Sequence, residues 1–407
     1  MIVVSNGFNR FFLSVIASEI AAEQKLSMFL TGAYPTPRLK SWLSRLGLAG
    51  NRKIVRLLGR EENIPTRYVR SLWLSEAIYA AREFAGPFEE KLNLWGMKAY
   101  GEAAARLLPQ AAKQGAKIYH YRAGYGGRSV QVAKDLGMVT ICDHSIAHPR
   151  YVEELIRHRG NLDKVDPNAP ISAVERYIES DFEHADQFLF NSDFVRETFL
   201  RLGYPAEKLN VIYWGIDDTF ARHIPPRDTV GEGPLHLFVP ALNPRKGAPT
   251  LAEAMAGLDG VDWRMTIAGS LDDETRESCV ALLADPRVTV VGMIAREKMT
   301  DYLARCDAVI FPTYAEGSAR VIFEALAAGA YVITTPNAGS VIQDGVHGRL
   351  VAPGEAEPLR AAIAEVATLR DRIPEIGRGN ARMIREDYSQ RDYGRHVAAL
   401  HQRLIAG

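Results

Sequence analysis

Short runs of apolar, often β-branched residues alternate along this chain with longer stretches whose apolar residues recur every three or four positions. Residues 2–4 form the first such run, and residues 11–22 carry the helical spacing that follows it. The first pattern predicts buried strands, and the second predicts helices that pack on one face. Because the two alternate, we expect parallel sheets covered by helices, and the predicted fold class is α/β.

The alternation runs twice, on either side of a stretch rich in proline and glycine at residues 220–233. Such a composition is typical of a linker. The sequence therefore predicts two doubly wound α/β domains with a cleft between them, residues 1–222 and residues 233–387. The further strands that the pattern predicts are residues 117–122, 138–142, 187–191, 209–213, 235–239, 265–268, 288–291, 308–311 and 331–335.

Residues 311–348 combine this alternating pattern with side chains that could bind a ligand. The strand that ends at Phe311 precedes a small-residue loop, and Ser318 is predicted to cap the helix that follows. In a parallel sheet, the first loop of such a unit lies at the carboxyl end of the strands, where open α/β sheets bind ligands. Two acids, Glu316 and Glu324, flank the loop and the helix with seven residues between them.

Cationic groups are predicted at the same edge of the sheet. Residues 240–247 form a loop after the first strand of the second domain, and this loop carries Arg245 and Lys246 ahead of a helix. Carboxylates accept hydrogen bonds from a diol, whereas cations and the helix N-terminal amides near Ala319 and Arg320 neutralise phosphates. A nucleotide-sugar has a ribose diol, a diphosphate and sugar hydroxyls, and it fits this order of groups.

Composition narrows the class of protein. The 407 residues include 49 basic and 49 acidic side chains, so no net field favours nucleic acid as a partner. Three scattered cysteines predict a reducing compartment and argue against a disulfide framework or a zinc site. No apolar run approaches the roughly 20 residues needed to cross a bilayer, and the first residues lack a signal-peptide pattern. We therefore expect a cytoplasmic protein.

The stretch from residue 38 to residue 70 departs from this charge balance. It holds nine basic and two acidic residues, interleaved with apolar residues and tryptophan. This pattern fits helices that lie on an anionic membrane surface. It also fits surface helices whose arginine stems cover a core. Peripheral contact with the inner face of a membrane is thus one of two open interpretations.

Loops that follow predicted strands of the first domain supply further candidates. Asn6 and Gly7 follow the first strand and are expected at the mouth of the cleft. His144 follows a later strand, where a catalytic or sugar-binding role and a structural, hydrogen-bonded role are both open. Gly124 and Gly126, with an acid about 20 residues further on, form a weak dinucleotide-binding pattern whose third glycine is replaced by serine.

The order of these motifs resembles that of the retaining GT-B glycosyltransferases of family 4. The resemblance covers roughly residues 118–354. The matching elements are Ala185-Asp186 with Asn191-Ser192, Gly215-Ile216-Asp217, Lys246-Gly247, Ile267-Ala268-Gly269, Val291-Gly292, Glu316-Gly317, Glu324 with the Ala-Leu-Ala-Ala-Gly that follows it, Pro336-Asn337-Ala338-Gly339-Ser340 and Asp344-Gly345-Val346-His347-Gly348.

The resemblance implies two Rossmann-like domains that face each other across a cleft. It implies transfer of a sugar from a nucleotide-sugar with retention of anomeric configuration, and without an obligatory metal or other cofactor. By this resemblance Glu316 contacts the donor sugar, Glu324 the ribose and Lys246 the diphosphate, and His144 lies near the reacting sugar. The helix at residues 388–407 is then expected to cross back to the first domain.

The rest of the expected donor site is Arg245, Gly317, Ser318, Ala319, Arg320, Gly269, Asn6 and Gly7. Ala241 stands where the family usually has an arginine, and Arg245 is a candidate for the missing charge. The expected acceptor is a glycan or a lipid-linked glycan of cell-envelope or exopolysaccharide synthesis. Two alternatives remain open, a nucleotide-sugar epimerase or hydrolase of the same fold, and a non-catalytic subunit, which the alanine motivates.

Overall fold

A computed structural model describes residues 1–9, 11–45, 52–225 and 233–406. Its strands form two sheets, and all neighbouring strands within them run parallel, which confirms the predicted α/β class. The strands are β1 (Ile2–Ser5), β2 (Leu26–Thr31), β3 (Val69–Ser71), β4 (Ile118–Arg122), β5 (Val139–His144), β6 (Gln187–Phe190), β7 (Leu209–Val211), β8 (Leu235–Val239), β9 (Trp263–Ala268), β10 (Val288–Gly292), β11 (Ala308–Phe311), β12 (Tyr331–Thr334) and β13 (Gly348–Leu350).

Helices connect these strands and cover the sheets. They are α1 (Leu13–Ala22), α2 (Pro37–Arg45), α3 (Arg52–Leu58), α4 (Trp73–Ala81), α5 (Glu89–Lys113), α6 (Arg128–Asp135), α7 (Pro149–Arg157), α8 (Ala173–Ser180), α9 (Asp193–Leu200), α10 (Asp218–Arg222), α11 (Ala248–Ala256), α12 (Asp273–Ser278), α13 (Val280–Ala284), α14 (Arg296–Arg305), α15 (Arg320–Ala327), α16 (Ala356–Leu369), α17 (Ile373–Asp387) and α18 (Gln390–Ala406).

The first domain is a seven-stranded sheet in the order β3-β2-β1-β4-β5-β6-β7. Successive residues of a strand point to opposite faces, and both faces here are buried. Val3 of β1 packs in one hydrophobic cluster, whereas its neighbours Ile2 and Val4 pack in another on the opposite face. Burial on both sides explains why these strands appear in the sequence as continuous apolar runs.

The second domain is a six-stranded sheet in the order β10-β9-β8-β11-β12-β13. Its two buried faces alternate in the same way, because Ala308 and Ile310 of β11 enter one cluster and Val309 and Phe311 the other. In both sheets the strand order reverses beside the first strand of the domain. Ligands of doubly wound sheets bind at the carboxyl ends of the strands near such a point.

The last helix of the chain packs on the first domain. Helix α18 lies against α1, and its residues Tyr393, Val397 and Leu400 join the hydrophobic cluster of the first sheet. Ile216, at the end of the first domain, forms an isolated parallel bridge with Ser389. A buried pair of imidazoles completes this contact, since His120 Nδ1 and His401 Nε2 lie 3.0 Å apart.

This histidine pair is expected to make the free energy of unfolding depend on pH. Burial lowers the pKa of His401 to about 3, and burial together with His401 lowers the pKa of His120 well below its ordinary value. Below the unfolded pKa of about 6.5, the unfolded chain binds protons that the folded chain does not, so stability falls as pH falls. Each such histidine steepens the loss by at most ~1.4 kcal/mol per pH unit.

We expect His401→Gln to flatten the acid limb of the stability curve. The amide can still hydrogen-bond to His120, but one titrating group is removed. Denaturant unfolding between about pH 6 and pH 4 should show a shallower slope, by roughly 1 kcal/mol per pH unit. The matched control is His396→Gln, an exposed histidine on the same helix. Parallel pH curves for wild type and His401→Gln would contradict this prediction.

Several predicted boundaries need correction. The strand predicted at residues 138–142 continues through His144, so this histidine belongs to β5 and not to a loop. Ser318 does not cap α15, because the helix begins at Arg320 and Ala319 holds the cap position without a side-chain bond. The pattern did not reveal β2 or β3, nor the 25-residue helix α5.

Parts of three predicted segments lie outside the described residues. They are residues 46–51 of the basic stretch and residues 226–232 of the linker, together with Gly407 of the last predicted helix. Within the basic stretch, two described cations form ion pairs. Lys40 pairs with Glu61, and Arg60 pairs with Glu76 of α4 at 2.6 Å.

Candidate functional site

The carboxyl ends of the two sheets face each other and touch. The hydroxyl of Ser192, just after β6, donates to the carbonyl of Gly317, in the loop after β11. Asn337 Nδ2, in the loop after β12, donates to the carbonyl of Gly160 at 2.7 Å. A Cβ atom placed on Gly317 would lie 1.7 Å from the carbonyl oxygen of Ser145. The absence of a side chain at position 317 therefore allows the domains to approach this closely.

A cavity of ≈ 360 Å³ opens in the second domain beside this contact. The loop and helix of residues 311–324 form one wall, and the loop after β8 forms another. The predicted site residues that line it are Lys246, Glu316, Ser318, Ala319, Arg320 and Glu324. The fold thus brings the two predicted carboxylates and the predicted lysine to one cavity.

Glu324 is buried in a network of arginines. Its Oε1 atom accepts from Arg296 Nη2 at 2.9 Å and from Arg296 Nε at 3.2 Å, and it lies 3.5 Å from Arg320 Nε. Arg296 also pairs with Asp217 at 2.5 Å. The Glu324 side chain is only 8% exposed, so these cations compensate the burial of its carboxylate.

Arg296 and Asp217 are functional candidates that sequence reasoning did not single out as site residues. Arg296 is the first residue of α14, and its guanidinium lies 4.8 Å from the centre of the Phe220 ring. Asp217 belongs to a motif noted in the sequence, but its partner is 79 positions away. Nothing in the local pattern marks that pairing, because only the folded chain brings Asp217 and Arg296 together.

Glu316 pairs with an arginine rather than standing alone. Arg245 Nη1 lies 2.9 Å from Glu316 Oε1 and donates to the carbonyl of Ala315 at 2.5 Å. Arg245 does not line the cavity, whereas Lys246 does. Lys246 therefore lies on the cavity wall, where its phosphate contact stays a prediction, and Arg245 is held by Glu316.

The Lys246 ammonium is held in a partly desolvated place. It lies 5.4 Å from the centre of the Phe311 ring. Burial lowers the pKa of Lys246, although the Glu316 carboxylate acts in the opposite direction. A charged group in such a position gains from a bound anion, because an anion replaces the hydration that burial removes.

The loop between the two acids supplies a second unsatisfied group. The Ser318 hydroxyl is buried and has no hydrogen-bond partner in the described part of the chain. Buried hydroxyls are seldom left unpaired, so a ligand that reaches the cavity would supply the partner. The Ala319 amide is already used, because it donates to the carbonyl of Ala338 at 3.0 Å. This corrects the expectation that the Ala319 amide binds phosphate.

The structure does not bring His144 to this cavity. Its ring packs edge-on against Phe182 and Phe199, and its Nε2 atom lies 3.3 Å from the carbonyl of Ala147. Burial lowers the pKa of His144 to about 3, with a smaller contribution from the Arg122 guanidinium. The imidazole is therefore neutral at physiological pH, and its catalytic role stays a prediction.

The other predicted donor residues lie at the strand ends but outside the cavity. Asn6 donates from Nδ2 to the carbonyl of Asn9 at 2.6 Å, and the Gly7 amide donates to the Tyr100 hydroxyl at 3.1 Å. Gly269 has a φ of 96° and its amide donates to the carbonyl of Gly292. Their predicted contacts with the donor stay predictions.

The glycine-rich loop after β4 is filled by the protein's own carboxylate. Asp181 accepts hydrogen bonds from the amides of Gly124, Gly126 and Gly127 at 2.7, 2.9 and 2.6 Å. A dinucleotide phosphate would need these same amides. The dinucleotide-binding interpretation of this loop is therefore wrong.

No described helix is both long and apolar enough to cross a membrane. Within the described ranges, no three His, Cys, Asp or Glu side chains are close enough to hold a metal ion. Independence of metals stays a prediction.

Comparison with known proteins places this geometry in context. Residues 233–368 match the family described as "Glycosyl transferases group 1". The lipopolysaccharide core biosynthesis glycosyltransferase LpsE of Rhizobium meliloti is 28% identical over 203 residues, 48% of this chain and 59% of LpsE. An uncharacterized glycosyltransferase of Methanocaldococcus jannaschii is 26% identical over 216 residues, 49% of this chain and 55% of that protein. The chain thus spans little more than half the length of these curated relatives.

Solved structures resemble the whole chain in fold. A glycosyltransferase from Rickettsia africae has a TM-score of 0.61 at 13% identity, covering 99% of this chain and 98% of that one. Anabaena HepE, solved with UDP and glucose, has a TM-score of 0.59 at 16% identity, covering 99% and 100%. The chain therefore has the GT-B fold of two facing Rossmann-like domains, and its second domain carries the sequence pattern of the glycosyl transferases group 1.

Proposed function

We propose that this protein is a glycosyltransferase that moves a sugar from a nucleotide-sugar to a glycan or lipid-linked acceptor, with retention of anomeric configuration. One observation carries the proposal. A cavity in the domain that matches glycosyl transferases group 1 holds two carboxylates, Glu316 and Glu324, together with Lys246. The similarity to LpsE supports a place in cell-envelope or exopolysaccharide synthesis, and the proposed location is the cytoplasm or the inner face of the membrane.

The donor is proposed to lie along the cavity with its ribose at Glu324. The three contacts of this carboxylate all involve Oε1, so Oε2 can accept a ribose hydroxyl. Lys246 then faces the diphosphate, and Glu316 faces the sugar. The unpaired Ser318 hydroxyl lies between the two acids and can bind the phosphate or a sugar hydroxyl.

Arg296 is proposed to supply the charge that Ala241 does not. Both residues line the cavity, and Arg296 is therefore better placed than Arg245, which is held by Glu316. A guanidinium that already contacts the ribose-binding carboxylate can turn towards a diphosphate beside it, because arginine has five donors. This arrangement disfavours the alternative of a non-catalytic subunit, because that alternative was based on the alanine at position 241.

The proposed chemistry depends on stabilising the leaving group. Breaking the bond between the sugar and the diphosphate leaves negative charge on phosphate oxygens, and positioned cations stabilise that charge without a metal ion. Lys246 and Arg296 are the candidates for this role. Retention in a single step requires that the acceptor attack from the face that the leaving diphosphate occupies, and we propose that the closely apposed domains enforce this approach.

Replacing Glu324 by glutamine is expected to weaken nucleotide-sugar binding by about 10- to 100-fold, since hydrogen bonds to a charged acceptor contribute roughly 1.5–3 kcal/mol. Calorimetry with UDP-, GDP- and ADP-sugars measures the effect and also identifies the base. The control is Glu297→Gln, an exposed acid on α14 next to Arg296. Equal donor affinity in wild type and Glu324→Gln would remove the ribose assignment.

Measurements on the wild-type protein distinguish a transferase from an epimerase, a hydrolase or a non-catalytic subunit. A wild-type protein that binds none of these nucleotides is not a transferase. Consumption of the donor in the absence of any acceptor would favour an epimerase or a hydrolase. Nuclear magnetic resonance of the transfer product reports the anomeric configuration, and an inverted product would refute retention.

A further inference from the structure

The exposed aromatic side chains of this protein are gathered in one part of the first domain. Fourteen large apolar side chains are exposed in the described residues, and seven of them lie between residues 42 and 95. Every exposed tryptophan and phenylalanine is among these seven. We call six of them the aromatic rim: Trp42, Trp73, Leu74, Phe84, Phe88 and Trp95.

Most of the rim projects beyond the sheet, on the side of the cleft. The Tyr100 hydroxyl of α5 contacts Ser5 and Gly7 at the carboxyl end of β1, whereas Gln114, just after α5, contacts Ser27 near the start of β2. The first eleven residues of α5 therefore extend past the sheet edge by about 16 Å, given a rise of 1.5 Å per residue. Helix α4 packs along this extension, since Tyr79 lies against Gly96.

Part of the basic stretch, the segment around Arg60, lies beside this projection. Arg60 pairs with Glu76 of α4, and the Glu76 carboxylate also accepts from the amide of Ala33, at the carboxyl end of β2. Helix α2, which belongs to the stretch, follows β2 in the chain and therefore begins at the same edge of the sheet. The described part of the stretch is thus joined to a part of the first domain that has exposed tryptophans.

The combination of exposed aromatic side chains and basic residues indicates which kind of partner binds the rim. Isolated exposed apolar residues are ordinary, but a cluster is not. Tryptophan is enriched at the boundary between lipid headgroups and acyl chains, and basic residues are attracted to anionic headgroups. The rim is a set of side chains on protruding helix ends rather than a groove, so it fits a flat, deformable surface better than a peptide or a second folded domain.

We propose that the aromatic rim inserts into the interface of an anionic lipid bilayer and sets the cleft against the membrane. The inference rests on the proposed function in one respect, because it identifies the acceptor as lipid-linked and delivered from the bilayer. The apolar side chains supply the insertion, and the basic stretch supplies the attraction to headgroups. Membrane contact therefore depends on the tips of α4 and α5 as well as on charge.

The test is flotation of the full chain with vesicles of phosphatidylcholine and phosphatidylglycerol in equal amounts, without substrates. The variant L74Q/F88Q/W95Q removes three rim side chains that are 77%, 59% and 56% exposed. The matched control is V280Q/M293Q/V346Q in the second domain, where the side chains are 68%, 79% and 54% exposed. We expect the rim variant to lose at least about tenfold in vesicle partitioning, and the control to bind like wild type.

A second measurement does not depend on the variant folding. Lipids brominated in the acyl chain quench tryptophans that insert, and the wild-type chain has exposed Trp42, Trp73 and Trp95 but a buried Trp263. We expect quenching by brominated vesicles and none by the same lipids below the concentration that binds. Wild type without vesicle binding, or a rim variant that binds equally, would overturn the inference.

Two further results would also overturn it. Self-association of wild type that the rim substitutions abolish, with no vesicle binding, would assign the rim to a second copy of the chain. Binding that high salt abolishes and the rim substitutions leave unchanged would assign the contact to charge alone. Donor binding measured by calorimetry on the same variants is expected to be unaffected, so failure here is distinguishable from failure of the proposed transferase activity.

Discussion

Replacing Lys246 by methionine is expected to lower kcat/KM for sugar transfer by about 10²–10³-fold, the usual effect of removing one preorganised group that stabilises developing negative charge. Lys246 is the lysine that lines the cavity in the described part of the second domain, and Phe311 and Glu316 surround its ammonium. Methionine keeps most of the stem and loses the charge. Steady-state kinetics with the donor found by calorimetry measures the effect.

The same substitution is not expected to destabilise the fold. Burial lowers the pKa of Lys246, which means that the free protein holds this charge at some cost. Thermal unfolding of Lys246→Met without nucleotide should therefore be unchanged or shifted upwards. The control is Lys298→Met, an exposed lysine of α14 in the same domain. Full transfer activity in Lys246→Met would remove the phosphate role, and a large loss of stability would show that the lysine is structural.

Replacing Gly317 by alanine is expected to reduce kcat by about 10²-fold while leaving nucleotide affinity nearly unchanged. A Cβ atom here would lie 1.7 Å from the Ser145 carbonyl oxygen and 2.9 Å from Asn191 Nδ2, both on the other domain. The domains would have to separate by roughly 1.5 Å to relieve the overlap, and a 1 Å misplacement of reacting groups costs on the order of 10² in rate. The proposed nucleotide site lies within the second domain, so we expect nucleotide affinity to change little.

The contrast between kcat and affinity makes this prediction specific. Gly379→Ala is the matched control, because a Cβ atom at Gly379 in α17 meets no atom within 4 Å. Alanine there should leave both quantities unchanged. Gly317→Ala with wild-type kcat would mean that transfer takes place with the two domains apart, and that the contact between Ser192 and Gly317 is not part of the working enzyme.

The predicted start of α15 and the predicted end of β5 were both wrong, because local sequence patterns do not fix element ends. Ser318 has the residue type of a helix cap, but its hydroxyl is buried without a hydrogen-bond partner among the described residues, and α15 begins two residues later. A local pattern cannot separate a serine that caps a helix from one whose hydroxyl awaits a ligand. His144 shows the same limit, because the extension of β5 by two residues directs its ring into Phe182 and Phe199.

The sequence by itself determined the class of fold and identified the principal candidate site residues. Short apolar runs and helically spaced apolar residues are local patterns that can be read directly along the chain. The α/β class and the division into two α/β halves therefore follow without knowledge of the structure. The spacing of Glu316 and Glu324 across one strand–loop–helix unit is equally local. Sequence reasoning found Glu316 and Lys246 because they lie in loops that follow recognisable strands, and it found Glu324 because that acid lies on the helix after one of these loops.

Only the tertiary structure decided how the charges combine. The pairing of Arg245 with Glu316 joins residues 71 positions apart, and the network of Asp217, Arg296 and Glu324 joins residues up to 107 positions apart. The aromatic rim likewise depends on how far α5 extends past the sheet. These features have no local signal, because electrostatic pairing and exposure depend on distance in space, which the packing of the two sheets sets.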